Sequence, residues 1–131
     1  MKKRGILNRE LSRAIAGLGH LDRLVVCDAG LPIPDGPERI DLAVTANLPR
    51  FRDVLKAVLE EMEVQEVVLA HEMETESPEL YREVTKLFGS LPIEKVIHNE
   101  LKRRTATARA VVRTGEFTPY ANVMLVSGVV F

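Results

Sequence analysis

Five side chains have the types needed to hold and protonate a small polar molecule: His20, Asp28, His98, Tyr120 and Asn122. Together they supply imidazoles that exchange protons near neutral pH, an anionic hydrogen-bond acceptor, a phenolic hydroxyl and an amide. This mixture suits a polyhydroxylated ligand bound without a cofactor. Each residue also has an ordinary structural explanation, since His20 could end a helix, Asp28 could form a turn and Tyr120 could lie partly in the core.

Two of these residues belong to a segment near the C-terminus, Arg113–Asn122, that separates two apolar runs. Residues 110–112 and 122–126 predict buried strands, because each is a short run of apolar residues. Gly115 and Pro119 lie between the runs and are not explained by strand structure. The segment is therefore predicted to be a binding loop.

Metal and nucleotide chemistry find little support in the sequence. Neither of the glycine-rich motifs that bind dinucleotides or nucleoside triphosphates is present. The run that starts at His71 resembles the first half of a zinc-protease helix, but Thr75 stands where the second histidine is required. With one cysteine and three scattered histidines, we predict no metal site.

Two other kinds of catalysis depend on residues that have simpler explanations. Cys27 lies in an apolar run, so it is predicted to be a core residue rather than a nucleophile, although the sequence leaves that use open. Asp28 and Glu116 could form a carboxylate pair for glycosidic cleavage, if their separation allowed it. Glu116 could equally be a solvated turn residue.

The elements that must position these side chains alternate between strands and helices. Glycine, proline and capping residues predict helices over 10–18, 50–62, 78–88 and, from a cap at Asn99, 101–105. Apolar runs predict strands at 24–28, 40–44, 66–70, 93–97, 108–113 and 122–126. The alternation predicts one α/β domain over residues 1–131, with a mostly parallel central sheet flanked by helices. Ligands bind such sheets at the carboxyl ends of the strands, where we expect the five side chains to gather.

The composition is that of a globular protein, with 131 residues, 46% hydrophobic and 28% charged. A net charge of −1 gives no electrostatic surface for nucleic acid, and no apolar run approaches the roughly 20 residues that span a membrane. The basic N-terminus is not followed by the apolar stretch of a secretory signal. We therefore expect a cytoplasmic protein with no nucleic-acid or membrane partner.

Four motifs make the sequence resemble the D-ribose pyranase family, also called ribose mutarotases. The motifs are Leu18-Gly-His20, Asp28-Ala-Gly-Leu-Pro-Ile-Pro34, Arg39-Ile-Asp-Leu42 and the tail segment Arg113–Asn122. The resemblance covers essentially the whole chain, and the tail motif is the most specific part of it. The related L-fucose mutarotases share the histidine and the tail tyrosine and asparagine, but the Gly30–Pro34 run is similar to the ribose group.

The resemblance implies an enzyme that interconverts the pyranose and furanose forms of D-ribose without cofactor or metal. It implies that His20 is the catalytic proton donor and that the sugar is contacted by Asp28, His98, Tyr120, Ala121 and Asn122. It also implies ring-like homo-oligomers whose sites lie between neighbouring subunits.

Ring opening of a hemiacetal requires a proton on the ring oxygen as the anomeric hydroxyl loses one. Histidine, with an ordinary pKa near 6.5, can support both transfers at neutral pH. We hypothesise that His20 protonates the ring oxygen, while Asp28 either orients His20 or grips a hydroxyl. Two alternatives remain: a non-catalytic ribose-binding accessory of sugar transport, and a structural ring protein with a vestigial pocket.

Overall fold

A computed structural model describes all 131 residues. Five helices and six strands follow one another in the chain. The strands are β1 (Arg23–Cys27), β2 (Glu38–Asp41), β3 (Val64–Ala70), β4 (Ile93–Val96), β5 (Ala110–Arg113) and β6 (Val123–Ser127). The helices are α1 (Arg9–Ala16), α2 (Phe51–Glu61), α3 (His71–Glu76), α4 (Pro78–Phe88) and α5 (His98–Thr105).

The six strands form one sheet in the order β2-β5-β1-β6-β3-β4. Strand β6 runs antiparallel to its neighbours β1 and β3, whereas the pairs β1–β5, β2–β5 and β3–β4 are parallel. Five strands therefore end at the same edge of the sheet, which we call the carboxyl edge, and β6 begins there. The opposite edge, where those five strands begin, is called the amino edge. The predicted α/β class with a mostly parallel sheet flanked by helices is confirmed.

Alternate side chains of β1 divide between two hydrophobic clusters, one on each face of the sheet. Val26 belongs to the larger cluster of 22 buried residues, together with Phe51 of α2. Val25 and Cys27 belong to the smaller cluster of 10 residues, which includes Leu101 of α5. Burial raises the pKa of the Cys27 thiol to about 12, so this residue is a core side chain and not an activated nucleophile.

Several element ends differ from the sequence prediction for local reasons. Asn8 caps α1 as predicted, with its Oδ1 accepting a hydrogen bond from the Leu11 amide at 2.9 Å. The helix ends at Ala16, two residues before the predicted end at Leu18, and Gly17 rather than Gly19 is the residue that follows it. Strand β2 ends at Asp41, whose side chain accepts from the Ala43 amide and turns the chain.

Helix α3 was not predicted at all, and α5 begins three residues earlier than expected, at His98 rather than Leu101. The six residues of α3 bury a single side chain, Met73, so they show no apolar stripe. Helix α5 begins at His98 rather than after Asn99, because Glu72 caps it: the Glu72 carboxylate accepts the His98 amide at 3.0 and 3.1 Å.

None of the helices is long and apolar enough to cross a lipid bilayer.

Candidate functional site

The structure places His20 and Asp28 at opposite edges of the sheet. His20 precedes β1, and the next residue, Leu21, donates its amide to the Ser127 carbonyl at 2.9 Å, where β6 ends at the amino edge. Asp28 directly follows β1 at the carboxyl edge. The five residues of β1 separate them by about 16 Å of strand, at about 3.3 Å per residue. The expectation that His20 joins the other side chains at the carboxyl edge is therefore wrong within one chain.

Asp28 and Asn122 form a closely bonded pair at the carboxyl edge. The Asn122 amide Nδ2 donates to Asp28 Oδ2 at 2.9 Å, and Asn122 Oδ1 accepts the Asp28 main-chain amide at 3.0 Å. The Gly30 amide donates to the other carboxylate oxygen, Oδ1, at 2.9 Å. The Asp28 side chain is thus held in one orientation, and each oxygen retains a free lone pair for a ligand hydroxyl.

His98 and Tyr120 form the second pair at this edge. Their ring centroids are 5.0 Å apart and the rings are nearly perpendicular, at 88°. His98 Nδ1 is buried and has no hydrogen-bond partner. Burial, with the nearby Lys102 charge, lowers the pKa of His98 below its usual range against the opposing charges of Glu72 and Asp28. The imidazole is therefore neutral at pH 7 and offers a ligand one donor or one acceptor.

The backbone of Tyr120 is in the left-handed region, with φ of 63°. For a bulky residue this conformation costs about 1–3 kcal/mol, and it persists where the surroundings hold it. Ser77 holds one side by donating its hydroxyl to the Pro119 carbonyl at 2.7 Å, and the Asn122 amide donates to the Tyr120 carbonyl at 2.8 Å. The turn aims the Tyr120 ring at His98.

Ala121 and Asn122 are both fully buried. Ala121 packs in the larger core cluster, and Asn122 forms hydrogen bonds with Asp28. A direct contact of either residue with a sugar stays a prediction, whereas the geometry gives Asn122 a clear role in fixing the Asp28 carboxylate.

The first half of the tail segment is tied to the loop before α2. The Asn47 amide donates to the Gly115 carbonyl at 2.6 Å, and the Gly115 amide donates to the Pro49 carbonyl at 3.0 Å. A side chain at Gly115 would place its Cβ 2.4 Å from the Leu48 carbonyl oxygen, so only glycine fits. This close approach of the two backbones explains why position 115 is a glycine, which strand structure did not explain.

Glu116, expected as a solvated turn residue or as one of a catalytic pair, is buried with 2% of its surface exposed. Its Oε2 accepts the Phe51 amide at 3.1 Å and lies 3.0 Å from Arg50 Nε. The carboxylate is therefore engaged with the start of α2, and no hydrogen bond joins it to the Asp28 carboxylate.

Two open cavities accompany these residues, one at each edge. The cavity at the carboxyl edge has a volume of about 430 Å³ and is lined by Asp28–Gly30, Arg113 and residues 116–119, a size suited to a small molecule. The other, of about 470 Å³, adjoins His20, Ser127 and the C-terminal residues 129–131. Sequence reasoning missed Arg113 as a lining residue; it donates to the Ala29 carbonyl at 3.0 Å and pairs with Asp41.

No group of three or more histidine, cysteine, aspartate or glutamate side chains is placed to hold a metal ion. His71, which begins the stretch that resembled a zinc-protease helix, is exposed at the start of α3.

The fold and these residues define a small α/β protein with an open polar pocket at the carboxyl edge of its sheet and a histidine at the amino edge. The chain belongs to the RbsD / FucU transport protein family, whose model matches residues 1–130. Its relatives include a D-ribose pyranase of Coprothermobacter proteolyticus, 53% identical over 131 residues that cover 100% of both chains. A D-ribose pyranase of Geobacillus thermodenitrificans is 50% identical over 100% of this chain and 99% of the relative.

Solved structures agree with this assignment. Bacillus subtilis RbsD complexed with D-ribose is similar with a TM-score of 0.97 and 47% identity, over 100% of both chains. The fucose mutarotase from Streptococcus pneumoniae, in complex with L-fucose, has a TM-score of 0.75 and 23% identity, over 95% of each chain. The second likeness concerns the fold alone, since the identity is low.

Proposed function

We propose that this chain, as a single domain over residues 1–131, is a D-ribose pyranase: a mutarotase that interconverts the pyranose and furanose forms of D-ribose. The observation that carries the proposal is the similarity over the full chain to the ribose-bound Bacillus subtilis RbsD. The curated relatives named D-ribose pyranase are isomerases of the same length and add to it. The fixed Asp28 carboxylate beside a cavity of about 430 Å³ is the feature of this chain that suits a small polyhydroxylated ligand.

The proposed site is shared between neighbouring copies of the chain. A proton donor must approach its target to about 3 Å, yet His20 lies a whole strand away from its own Asp28. His20 of one copy is therefore proposed to serve a sugar bound at the carboxyl edge of the next. A contact that joins two different surfaces in this way repeats from copy to copy, and it forms a ring when the rotation between copies closes; a ring is the assembly proposed here.

Exposed apolar side chains at both edges support this contact. At the amino edge, Leu21, Val130 and Phe131 are exposed beside the His20 cavity. At the carboxyl edge, Phe117 and Ile97 are exposed beside the tail segment and His98. An interface between copies of the chain would cover these large apolar side chains at both edges of the sheet.

In the proposed reaction, His20 donates a proton to the ring oxygen while the anomeric hydroxyl gives its proton to water, which opens the ring to the aldehyde. When another hydroxyl closes the ring, His20 accepts the proton of that hydroxyl and the carbonyl oxygen takes one from water. Positioned acid-base help of this kind is worth about 10²–10⁴-fold in rate. Asp28 is proposed to accept a hydrogen bond from a sugar hydroxyl, because Asn122 and Gly30 already fix its orientation. His98 and Tyr120 are proposed to bind the sugar from the facing wall.

NMR exchange spectroscopy on the anomeric protons of D-ribose tests the proposal. The protein should accelerate pyranose–furanose exchange, and His20→Ala should abolish the acceleration. His71→Ala is the matched control, because His71 is an exposed histidine outside the site. Exchange at the spontaneous rate with the unmodified protein would refute the enzyme, and an active His20→Ala variant would remove His20 from the mechanism.

A second candidate is a non-catalytic ribose-binding accessory of sugar transport. The designation of the family as transport proteins favours it. The two functions differ in one experiment: an accessory binds D-ribose in a calorimetric titration but leaves the exchange rate unchanged. The same measurements with L-fucose beside D-ribose test which sugar the site accepts. The cytoplasmic location stays a prediction.

A further inference from the structure

Glu116 is the one buried carboxylate of the chain, and the reaction proposed above leaves it unused. Its Oε2 accepts the Phe51 amide and pairs with Arg50 at the first turn of α2, a helix of 11 residues. Arg50, at the N-cap position, makes no side-chain capping bond of its own. Glu116 therefore supplies from the tail segment the anionic cap that the sequence of α2 lacks.

The main chain of Glu116 binds the opposite side of the site. Its carbonyl accepts the Ala29 amide at 2.9 Å, directly after Asp28. Its amide donates to the Thr114 hydroxyl at 3.2 Å, and that hydroxyl donates to the Cys27 carbonyl at 2.8 Å. One residue thus joins the start of α2, the exit of β1 and the segment that leads to Tyr120.

Packing alone does not fix this part of the tail segment. Glu116, Thr118 and Pro119 line both the carboxyl-edge cavity and another cavity of about 430 Å³ that is also lined by residues of α4. Phe117 and Pro119 are exposed and Thr118 is half-buried, so these three residues gain little from van der Waals contact. The polar bonds of Glu116 and the hydroxyl of Ser77 that binds the Pro119 carbonyl therefore determine where this part of the tail segment lies.

We propose that Glu116 is a positioning residue for sugar binding: it holds the wall formed by residues 116–119 at a fixed distance from the Asp28 carboxylate. The inference rests on the proposed function. His20 lies at the other edge of the sheet, and the Glu116 carboxylate is engaged with Phe51 and Arg50 at the start of α2. Replacement of the Glu116 carboxylate should therefore weaken ribose binding and leave proton transfer unaffected.

The test measures KM and kcat for ribose exchange in Glu116→Gln, which keeps the shape of the side chain but replaces the charge and turns a donor towards Arg50 or Phe51. We expect KM to rise by about tenfold, the equivalent of one buried charged hydrogen bond, while kcat changes by less than about twofold. Glu79→Gln, an exposed carboxylate that lines the outer cavity, should leave both constants unchanged.

A second control, in helix α2, distinguishes a positioning role from a general loss of stability. Val58→Ala removes fully buried methyl groups from α2 about two turns beyond the Glu116 contacts at Arg50 and Phe51, so it should lower the melting temperature and leave KM unchanged. If Glu116→Gln keeps the KM of the unmodified protein, or if Val58→Ala raises KM equally, the positioning role is refuted.

Failure of the proposed function would be recognised separately. If the unmodified protein binds ribose without accelerating its exchange, the dissociation constant replaces KM and the same rise is expected in Glu116→Gln. If it does not bind ribose, both the proposed function and the positioning role fail. Faster amide exchange at Ala29 and Phe51 in Glu116→Gln would then report a structural anchor only.

Discussion

Mixing two inactive variants tests whether the histidine and the carboxylate of one site come from different copies of the chain. The variants are His20→Ala, which lacks the proton donor, and Asp28→Asn, which keeps the shape of the side chain but loses its charge. The two residues are expected to come from different copies because the whole of β1, about 16 Å of strand, separates them within one chain. A proton donor must come within about 3 Å of its target.

The fraction of activity expected in the mixture follows from random assembly of the two variants. In a ring, each site combines the amino edge of one copy with the carboxyl edge of the next. In a one-to-one mixture, a site is intact when its histidine comes from an Asp28→Asn chain and its carboxylate from a His20→Ala chain, so about a quarter of the sites should work. Each variant alone, in which every site lacks one group, should accelerate exchange very little.

The assay is ribose exchange spectroscopy on assemblies made by co-expression of the two variants with different affinity tags. A mixture of His71→Ala with Asp28→Asn is the matched control, because all of its sites keep His20 and half keep Asp28, so about half of the activity should remain. If the control keeps half but the test mixture stays at the level of the single variants, the site lies within one chain and the shared arrangement is wrong.

Two further predictions concern residues at the carboxyl edge. Gly115→Ala should destabilise the protein by about 1–3 kcal/mol in denaturant unfolding, because the new Cβ would meet the Leu48 carbonyl oxygen at 2.4 Å; Gly19→Ala, whose Cβ would have no neighbour closer than 3.6 Å, is the control, and equal stability of the two variants would refute the close approach. The lowered pKa of His98 means that the unfolded chain binds a proton more readily there, so stability should fall as the pH drops below about 6.5. His98→Gln should lose that part of the pH dependence, and an unchanged stability curve in the variant would contradict the burial effect.

The sequence predicted the architecture because the elements carry strong local signals. The apolar stripe of α2 and the glycine that follows α4 are visible in a short window, and the sheet class follows from the alternation of strands with helices. The rule that ligands gather at the carboxyl ends of parallel strands also brought Asp28, His98 and the tail segment together. Asp28 and Asn122 are 94 residues apart in the chain, yet both adjoin strand ends at that edge.

The same rule failed for His20 because it applies to residues that follow a strand. His20 comes before β1, and chain order alone was enough to place it at the amino edge. Glu116 and α5 were misjudged for another reason. Glu116 is held by Phe51, 65 positions away, and the cap of α5 comes from Glu72, 26 positions before His98. Partners so far apart in the chain produce no local sequence pattern. The burial of Glu116 and the start of α5 were therefore visible only in the folded structure.

Under the proposed function, the division of the site between two edges has a physical advantage for a chain of this size. Each copy leaves its polar groups and exposed apolar side chains at the open ends of one sheet, where water competes for every hydrogen bond. Contact between copies would cover both ends together, removing water from the sugar and strengthening the bonds to Asp28 and His98 without a long closing loop. Catalysis would then require assembly, whereas part of the sugar-binding surface, built on Asp28, Asn122 and the wall held by Glu116, belongs to the single chain.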